Sequence, residues 1–197
     1  MNESLTQKIR KDFDRIALYD QEGWDHNNHY HRFLLKQLPA RCGTVLDIGC
    51  GTGEFSRLLA QRAKRAIAID LSSNMVEVAK QRSSQYANID FQVGDILQWE
   101  FPVEQFDALA ILDLLEYESW QDSLSDLIAV PFNWGFQMLK NRHMKSSPEA
   151  AAAMREHLRT DRYLTLSQAR RIYSKSLRGA KLEKHLFWRY SVVWEKC

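Results

Sequence analysis

The chain has 197 residues, 45% of them hydrophobic and 26% charged, with 27 Lys/Arg against 25 Asp/Glu. This composition suits one globular domain with a real core and excludes disordered, collagen-like and low-complexity chains. No apolar run approaches the roughly 18–20 residues of a membrane-spanning helix, and three scattered cysteines, Cys42, Cys50 and Cys197, suit a reducing cytoplasm better than a disulfide scaffold.

Leu5, Ile9, Phe13 and Ile16 recur at three- and four-residue steps, so residues 3–20 read as an amphipathic helix whose charged start is unlike a secretory signal. A second helix is expected over residues 25–38, stopping before Pro39. Its start carries the run Trp24-Asp25-His26-Asn27-Asn28-His29-Tyr30-His31. These histidines do not share one helical face with carboxylate or cysteine partners, so no metal is expected. Histidine is the usual general base at neutral pH. Tyr19, Trp24, His29, Tyr30 and His31 are accordingly expected to line a pocket for an acceptor molecule, with helix-packing aromatics and exposed imidazoles as the plainer alternative; no catalytic residue is assigned.

The next segments alternate: a strand over 44–48, a helix over 53–61, a strand over 65–70, a helix over 73–86 and a strand over 89–93. A loop over 94–106 then precedes a strand over 107–113. The first strand runs into Gly49, Gly51 and Gly53, a spacing that lets backbone approach a ligand and points free helix N–H groups at it. The sixth position of a dinucleotide fingerprint is Glu54 rather than glycine, and no Gly-Lys-Ser/Thr follows for a P-loop. Glu54 would also repel a pyrophosphate at the helix mouth. A nucleoside ligand without phosphates, such as a sulfonium amino acid joined to adenosine, fits better. Asp47, Asp70 and Asp95 each stand at or beside the carboxyl end of a predicted parallel strand, the edge where open α/β sheets bind ligands. Taken singly, Asp47 could brace a loop, Asp70 could cap the following helix and Asp95 could serve a turn.

The run Asp47-Ile48-Gly49-Cys50-Gly51-Thr52-Gly53 resembles the first motif of class I S-adenosylmethionine-dependent methyltransferases. The resemblance continues through residues 66–75, through 89–96 with its Asp95, and through 106–111, and it is loose outside 41–112. It implies S-adenosylmethionine as cofactor and S-adenosylhomocysteine as product. Gly49, Cys50, Gly51 and Gly53 would pass close to the amino-acid part, and Asp47 would organise that loop or meet the ammonium. Asp70 would accept from the ribose hydroxyls, Asp95 and Ile96 would frame the adenine, and Leu71 and Met75 would pack on its face.

One departure concerns the next strand. Family members place a helix and a Pro-Gly-Gly turn between their fourth and fifth strands, and this chain has no Pro-Gly-Gly. Either a βα unit is missing and one strand serves for both, or residues 120–129 form the crossover helix and 130–136 the fifth strand. Pro131 would remove a ladder hydrogen bond from a central strand, which favours the first account. Farther on, Ser147-Pro148-Glu149 reads as a helix start and Thr165-Leu166-Ser167-Gln168 as a capping box, ahead of an antiparallel hairpin over 181–187 and 190–195.

The expected architecture is a doubly wound, Rossmann-like α/β sheet, mostly parallel with a C-terminal antiparallel hairpin, helices on both faces, and one strand short of seven. Its parts are a helical cap over 1–40, a cofactor-binding core over 41–113, and a helical insert with hairpin over 114–197. The expected function is in-line methyl transfer to a small-molecule acceptor, with proximity and alignment doing much of the work. The alternatives are a cofactor-binding protein with impaired catalysis, because the fourth-to-fifth-strand region is short, and a nucleic-acid methyltransferase. Residues 1–137 carry 13 Lys/Arg and 20 Asp/Glu, whereas 138–197 carry 14 and 5. That basic region reads as a solvated face rather than a nucleic-acid surface. The oligomeric state is left open.

Overall fold

The structure is a computed structural model that describes residues 4–23, 26–98, 105–114, 120–142, 147–160, 163–186 and 189–196. In chain order the elements are α1 (Leu5–Ala17), α2 (His26–Gln37), β1 (Cys42–Ile48), α3 (Glu54–Ala60), β2 (Ala63–Asp70), α4 (Ser73–Arg82) and β3 (Ile89–Val93). They continue with β4 (Ala108–Leu114), α5 (Trp120–Asn141), α6 (Pro148–Thr160), α7 (Leu166–Ser176), β5 (Lys181–His185) and β6 (Arg189–Glu195).

Six strands form one sheet in the order β3-β2-β1-β4-β6-β5. β1 to β4 are mutually parallel, and β6 runs antiparallel between β4 and β5. The sheet is therefore one strand short of seven. Residues 130–136, the alternative fifth strand, lie inside α5 instead, with Pro131 within the helix. Among the described residues no parallel crossover follows β4 in the sheet. The hairpin closes directly on it, Leu109 pairing with Trp194 and Leu114 with Arg189.

Alternation along each strand sends two apolar sets to opposite faces. Val45, Ala66, Ala108, Ala110 and Val193 meet Leu34 and Leu38 of α2 and Phe55 and Leu59 of α3. The alanines let those helices lie close to the sheet. On the other face Leu46, Ile69, Leu109, Ile111 and Val192 pack with Ala169 of α7 and with Leu177. Helices thus cover both faces of a doubly wound sheet. The Thr165–Gln168 capping box forms, Thr165 Oγ1 accepting from the Gln168 N–H at 3.3 Å and Gln168 Oε1 from the Thr165 N–H at 3.0 Å. A helix does start at Pro148. Helix α4 is shorter than the periodicity suggests, because Ser83 caps it and the chain turns through Tyr86 N–H to Ser83 O at 2.9 Å.

Helix α1 is joined to the α/β core by side chains. The Asp14 carboxylate accepts from Ser72 Oγ at 2.6 Å and from the Asn74 N–H at 3.1 Å, while its carbonyl accepts from Asn74 Nδ2 at 3.0 Å. An acidic group at the start of a helix also meets the positive end of its dipole. Asp20 pairs with Arg82 at 2.5 Å at the other end of α4. Ile16, Ala17, Met75 and Ala153 form a small apolar cluster between α1, α4 and α6. Arg15 reaches Glu156 at 2.7 Å, and His157 Nδ1 lies 3.2 Å from Asp12 Oδ2.

Asp14→Ala removes a charged acceptor shared by a buried hydroxyl and a helix-terminal N–H. It should cost about 1.5–3 kcal/mol of stability, measured by urea unfolding, with Asn at the same position losing less.

Candidate functional site

The carboxyl ends of β1, β2 and β3 meet at one edge of the sheet. Where β1 stops, the Gly49 and Cys50 N–H groups donate to the Ile69 carbonyl at 2.8 and 3.0 Å, so the chain turns away along the end of β2. The turn needs left-handed backbone at Gly49 (φ 72°), Gly51 (φ 51°) and Gly53 (φ 78°). A Cβ at Gly49 or Gly51 would meet nothing within 4 Å, so these two glycines expose backbone to open space. Gly53 is glycine for another reason. A Cβ there would lie 3.0 Å from the Phe91 ring and 3.1 Å from Ala79 Cβ, so it permits close packing of α3 against α4 and β3.

Two acids stand beside this loop, one bonded to the loop and one to α3. The Asp70 carboxylate accepts from the Gly51 N–H at 2.8 Å with Oδ2 and from the Ser72 N–H at 2.9 Å with Oδ1. Each oxygen has a second lone pair. Burial raises the Asp70 pKa, and these backbone N–H groups pull it back. Asp47 is 4% exposed and accepts from Ser56 Oγ at 2.6 Å. Burial pushes its pKa from 3.8 up to about 7, the Ser56 bond lowers it, and the nearby Asp70 charge raises it. The buried Cys50 thiol is raised as well, first by burial, and so stays protonated.

Asp95 completes the edge. The Gly94 N–H donates to the Asp70 carbonyl at 2.9 Å, placing Asp95 beside the end of β2, where its carboxylate accepts from Gln98 Nε2 at 2.9 Å. Ile96 starts a 3₁₀ turn, residues 96–98, and is partly buried. Leu71 is half-buried, and Met75 is buried and packs against α1 and α6. The structure thus brings Asp47, the glycine loop, Asp70 and Asp95 to one rim. Glu54 stands in the first turn of α3, and Asn28 Nδ2 of α2 donates to it at 3.1 Å.

The expected acceptor-side residues do not all gather. Tyr30 is buried and donates its hydroxyl to the Leu186 carbonyl at 3.0 Å, with exposed His29 edge-on to its ring. His31 stacks on Phe55 of α3, ring centroids 5.1 Å apart. Tyr19 sits next to Asp20, which is held at the last turn of α4, a helix length away from Ser72. Trp24 lies outside the described residues.

His185 is a residue the sequence reading missed. It ends β5 and pairs with Arg189, which pairs with Leu114 at the carboxyl end of β4. Its Nε2 lies 2.7 Å from Ser191 Oγ, and its ring packs 4.8 Å from Tyr30 and 5.0 Å from Phe33. Burial lowers its pKa, Glu183 raises it, and His29 lowers it. A hairpin was legible here, but its register against β4, which carries His185 to this edge, was not. Among the described residues, no three His, Cys, Asp or Glu side chains gather as metal ligands would.

Residues 45–130 match a protein family described as "Methyltransferase domain". A demethylmenaquinone methyltransferase of Tropheryma whipplei is 32% identical over 119 residues, covering 54% of this chain and 47% of its own. A 2-phytyl-1,4-naphtoquinone methyltransferase of Nostoc sp. is 38% identical over 116 residues, covering 53% and 51%. The matched part spans about half the length of these curated relatives. Among solved structures, the DhpI–SAM–HEP complex superposes on 98% of this chain and 99% of its own at a TM-score of 0.54, with 14% identity, a likeness of fold.

Because the folded state holds the Asp47 proton more tightly than the unfolded chain does, its contribution to stability is complete below about pH 4 and is lost as the pH rises to about 7. At about 1.4 kcal/mol per tenfold change in the ionisation constant, the loss is bounded at roughly 4 kcal/mol. Asp47→Asn should flatten urea-unfolding stability across that window and exceed the unmodified chain in stability above pH 7.

Proposed function

We propose that this chain, which belongs to the class I S-adenosylmethionine-dependent methyltransferases, transfers a methyl group from that cofactor to a small-molecule acceptor of the quinone class. The observation that carries the reading is the rim itself: Gly49 and Gly51 turn bare backbone towards open space between Asp47 and Asp70. An adenosyl amino acid suits that rim, because its ammonium offsets the charge of a buried acid and its hydroxyls can donate to carboxylate oxygens. Glu54 at the start of α3 suits a ligand without phosphates.

When bound, S-adenosylmethionine supplies a methyl group on a positively charged sulfur, already activated for displacement. The chain's part is to hold and align. Asp70 takes the ribose hydroxyls on its spare lone pairs, and Asp95 with Ile96 borders the adenine. Leu71 and Met75 wall one face, and the Gly49–Cys50–Gly51 backbone flanks the amino-acid end. Positioning of this kind accounts for much of the rate in an aligned displacement.

On the acceptor side, His29, Tyr30 and His185 stand at the rim on the α2 side of the hairpin. The relatives' names specify ring-bearing quinone substrates, and the Tyr30–Phe33–His185 aromatic group offers flat surface to a ring. With Nε2 engaged by Ser191, Nδ1 of a neutral His185 is the nitrogen left to take an acceptor's proton.

Calorimetry with S-adenosylhomocysteine should show binding that Asp70→Asn weakens about 10- to 30-fold, the loss of one or two charge-assisted hydrogen bonds. A chain that ignores both cofactor forms at millimolar concentration would sink the reading. With labelled S-adenosylmethionine and a panel of hydroquinones, His185→Asn should lower kcat about 100-fold while cofactor affinity holds. The lowered His185 pKa predicts a rate that is flat above neutrality and falls once the imidazole is protonated below the ordinary histidine range.

A further inference from the structure

Helix α5 is amphipathic the wrong way round for a helix that faces water. In its C-terminal half, Phe132 is 68% exposed, Trp134 57%, Phe136 52%, Met138 50% and Leu139 75%. The side chain buried there is polar: Gln137 is 8% exposed, and Asn133 and Asn141 are partly buried. At 100° per residue, Asn133, Gln137 and Asn141 follow one another at four-residue steps along the inward row, while Phe132, Phe136 and Leu139 share the opposite side. The inward row is seated on the protein, since a Cβ at Gly23 would lie 3.3 Å from the Asn141 side chain. Leu18, 70% exposed, lies in the turn that leads to Gly23, so the same end of the molecule carries further apolar surface. Contiguous exposed apolar side chains of this size mark a surface that something covers.

Charge selects the occupant. Between residues 127 and 148 the chain has Lys140, Arg142 and Lys145 and no Asp or Glu. Lys140 and Arg142 are exposed, and Arg142 ends the helix with a φ of 63°. An apolar face carrying phenylalanine and leucine, bordered by cations, is the pattern of a helix that lies in the headgroup boundary of an anionic bilayer. Among the described residues no helix is long and apolar enough to cross a membrane, so α5 would lie on the surface. We infer that the face of α5 carrying Phe132, Phe136 and Leu139 docks this chain on an anionic lipid surface, with these side chains entering the headgroup boundary and Lys140 and Arg142 meeting the lipid charge. This inference stands on α5 alone and does not depend on the methyl-transfer reading.

The test is flotation of the full chain with phosphatidylcholine vesicles, with and without phosphatidylglycerol. Capture is expected on the anionic vesicles and should fall steeply as salt is raised. Phe132→Ser with Phe136→Ser should reduce capture at least 10-fold with unchanged circular dichroism, because both side chains are exposed. Lys140→Glu with Arg142→Glu leaves the apolar face intact and should abolish the preference for anionic vesicles. No capture at low salt overturns the inference. So does a dimer in sedimentation equilibrium that the serine pair dissolves while vesicles capture nothing, since the face would then belong to a second copy.

Discussion

The Asp70 carboxylate is the interaction on which the site depends. Its two oxygens hold N–H groups from two separate loops, Gly51 after β1 and Ser72 before α4, at 2.8 and 2.9 Å. A carboxylate is one of few side chains able to accept on both sides at once while keeping lone pairs to spare. The loops it ties are those that leave β1 and β2, so their relative position sets the width of the rim. Gly94, donating to the Asp70 carbonyl, attaches the third loop to the same residue. Bracing therefore leaves Asp70 with acceptor capacity for the ligand recognition proposed above. This reconciles a helix-capping reading of Asp70 with a ribose-binding one.

Charge at the rim is built to be offset. Asp47 and Asp70 are both acids in a poorly solvated place, and the Asp70 charge raises the cost of ionising Asp47. Ser56 and two backbone N–H groups offset part of that cost. The remainder disfavours a second anion and favours a cation, which is the electrostatic reason that an ammonium-bearing ligand suits the cradle where a pyrophosphate does not. Glu54, tied to Asn28, extends the same preference to the start of α3.

The shortened sheet changes what stands opposite the cradle. With β6 directly beside β4, the hairpin rather than a further parallel strand borders the rim, and it brings His185 and Tyr30 together from residues 155 positions apart. The same shortening leaves the long segment after β4 without a place in the sheet. That segment folds as α5, in which Phe132, Trp134, Phe136, Met138 and Leu139 are exposed. Missing a strand does not open the core, because Val192 and Val193 of β6 fill both faces beside β4.

The glycine-loop rim was legible in the sequence because it is local. Strand, glycine loop, helix and the next strand lie within about thirty residues, and their period, glycine spacing and strand-end acids are dictated by backbone geometry that any chain obeys. The same holds for the capping box at Thr165 and the missing Pro-Gly-Gly that signalled a missing strand. Tertiary structure decided the rest. It made Gly53 a packing residue against Phe91 and Ala79, set Asp14 on Ser72 across 58 positions, kept Tyr19 away from the rim and carried His185 to it. Hydrophobic periodicity says which side of an element is apolar, but not what that side meets, because register and helix docking are set by contacts between segments far apart in the chain. For α5, Phe132, Phe136 and Leu139 stay exposed, and only the folded arrangement, with Asn133, Gln137 and Asn141 turned inwards, makes that visible.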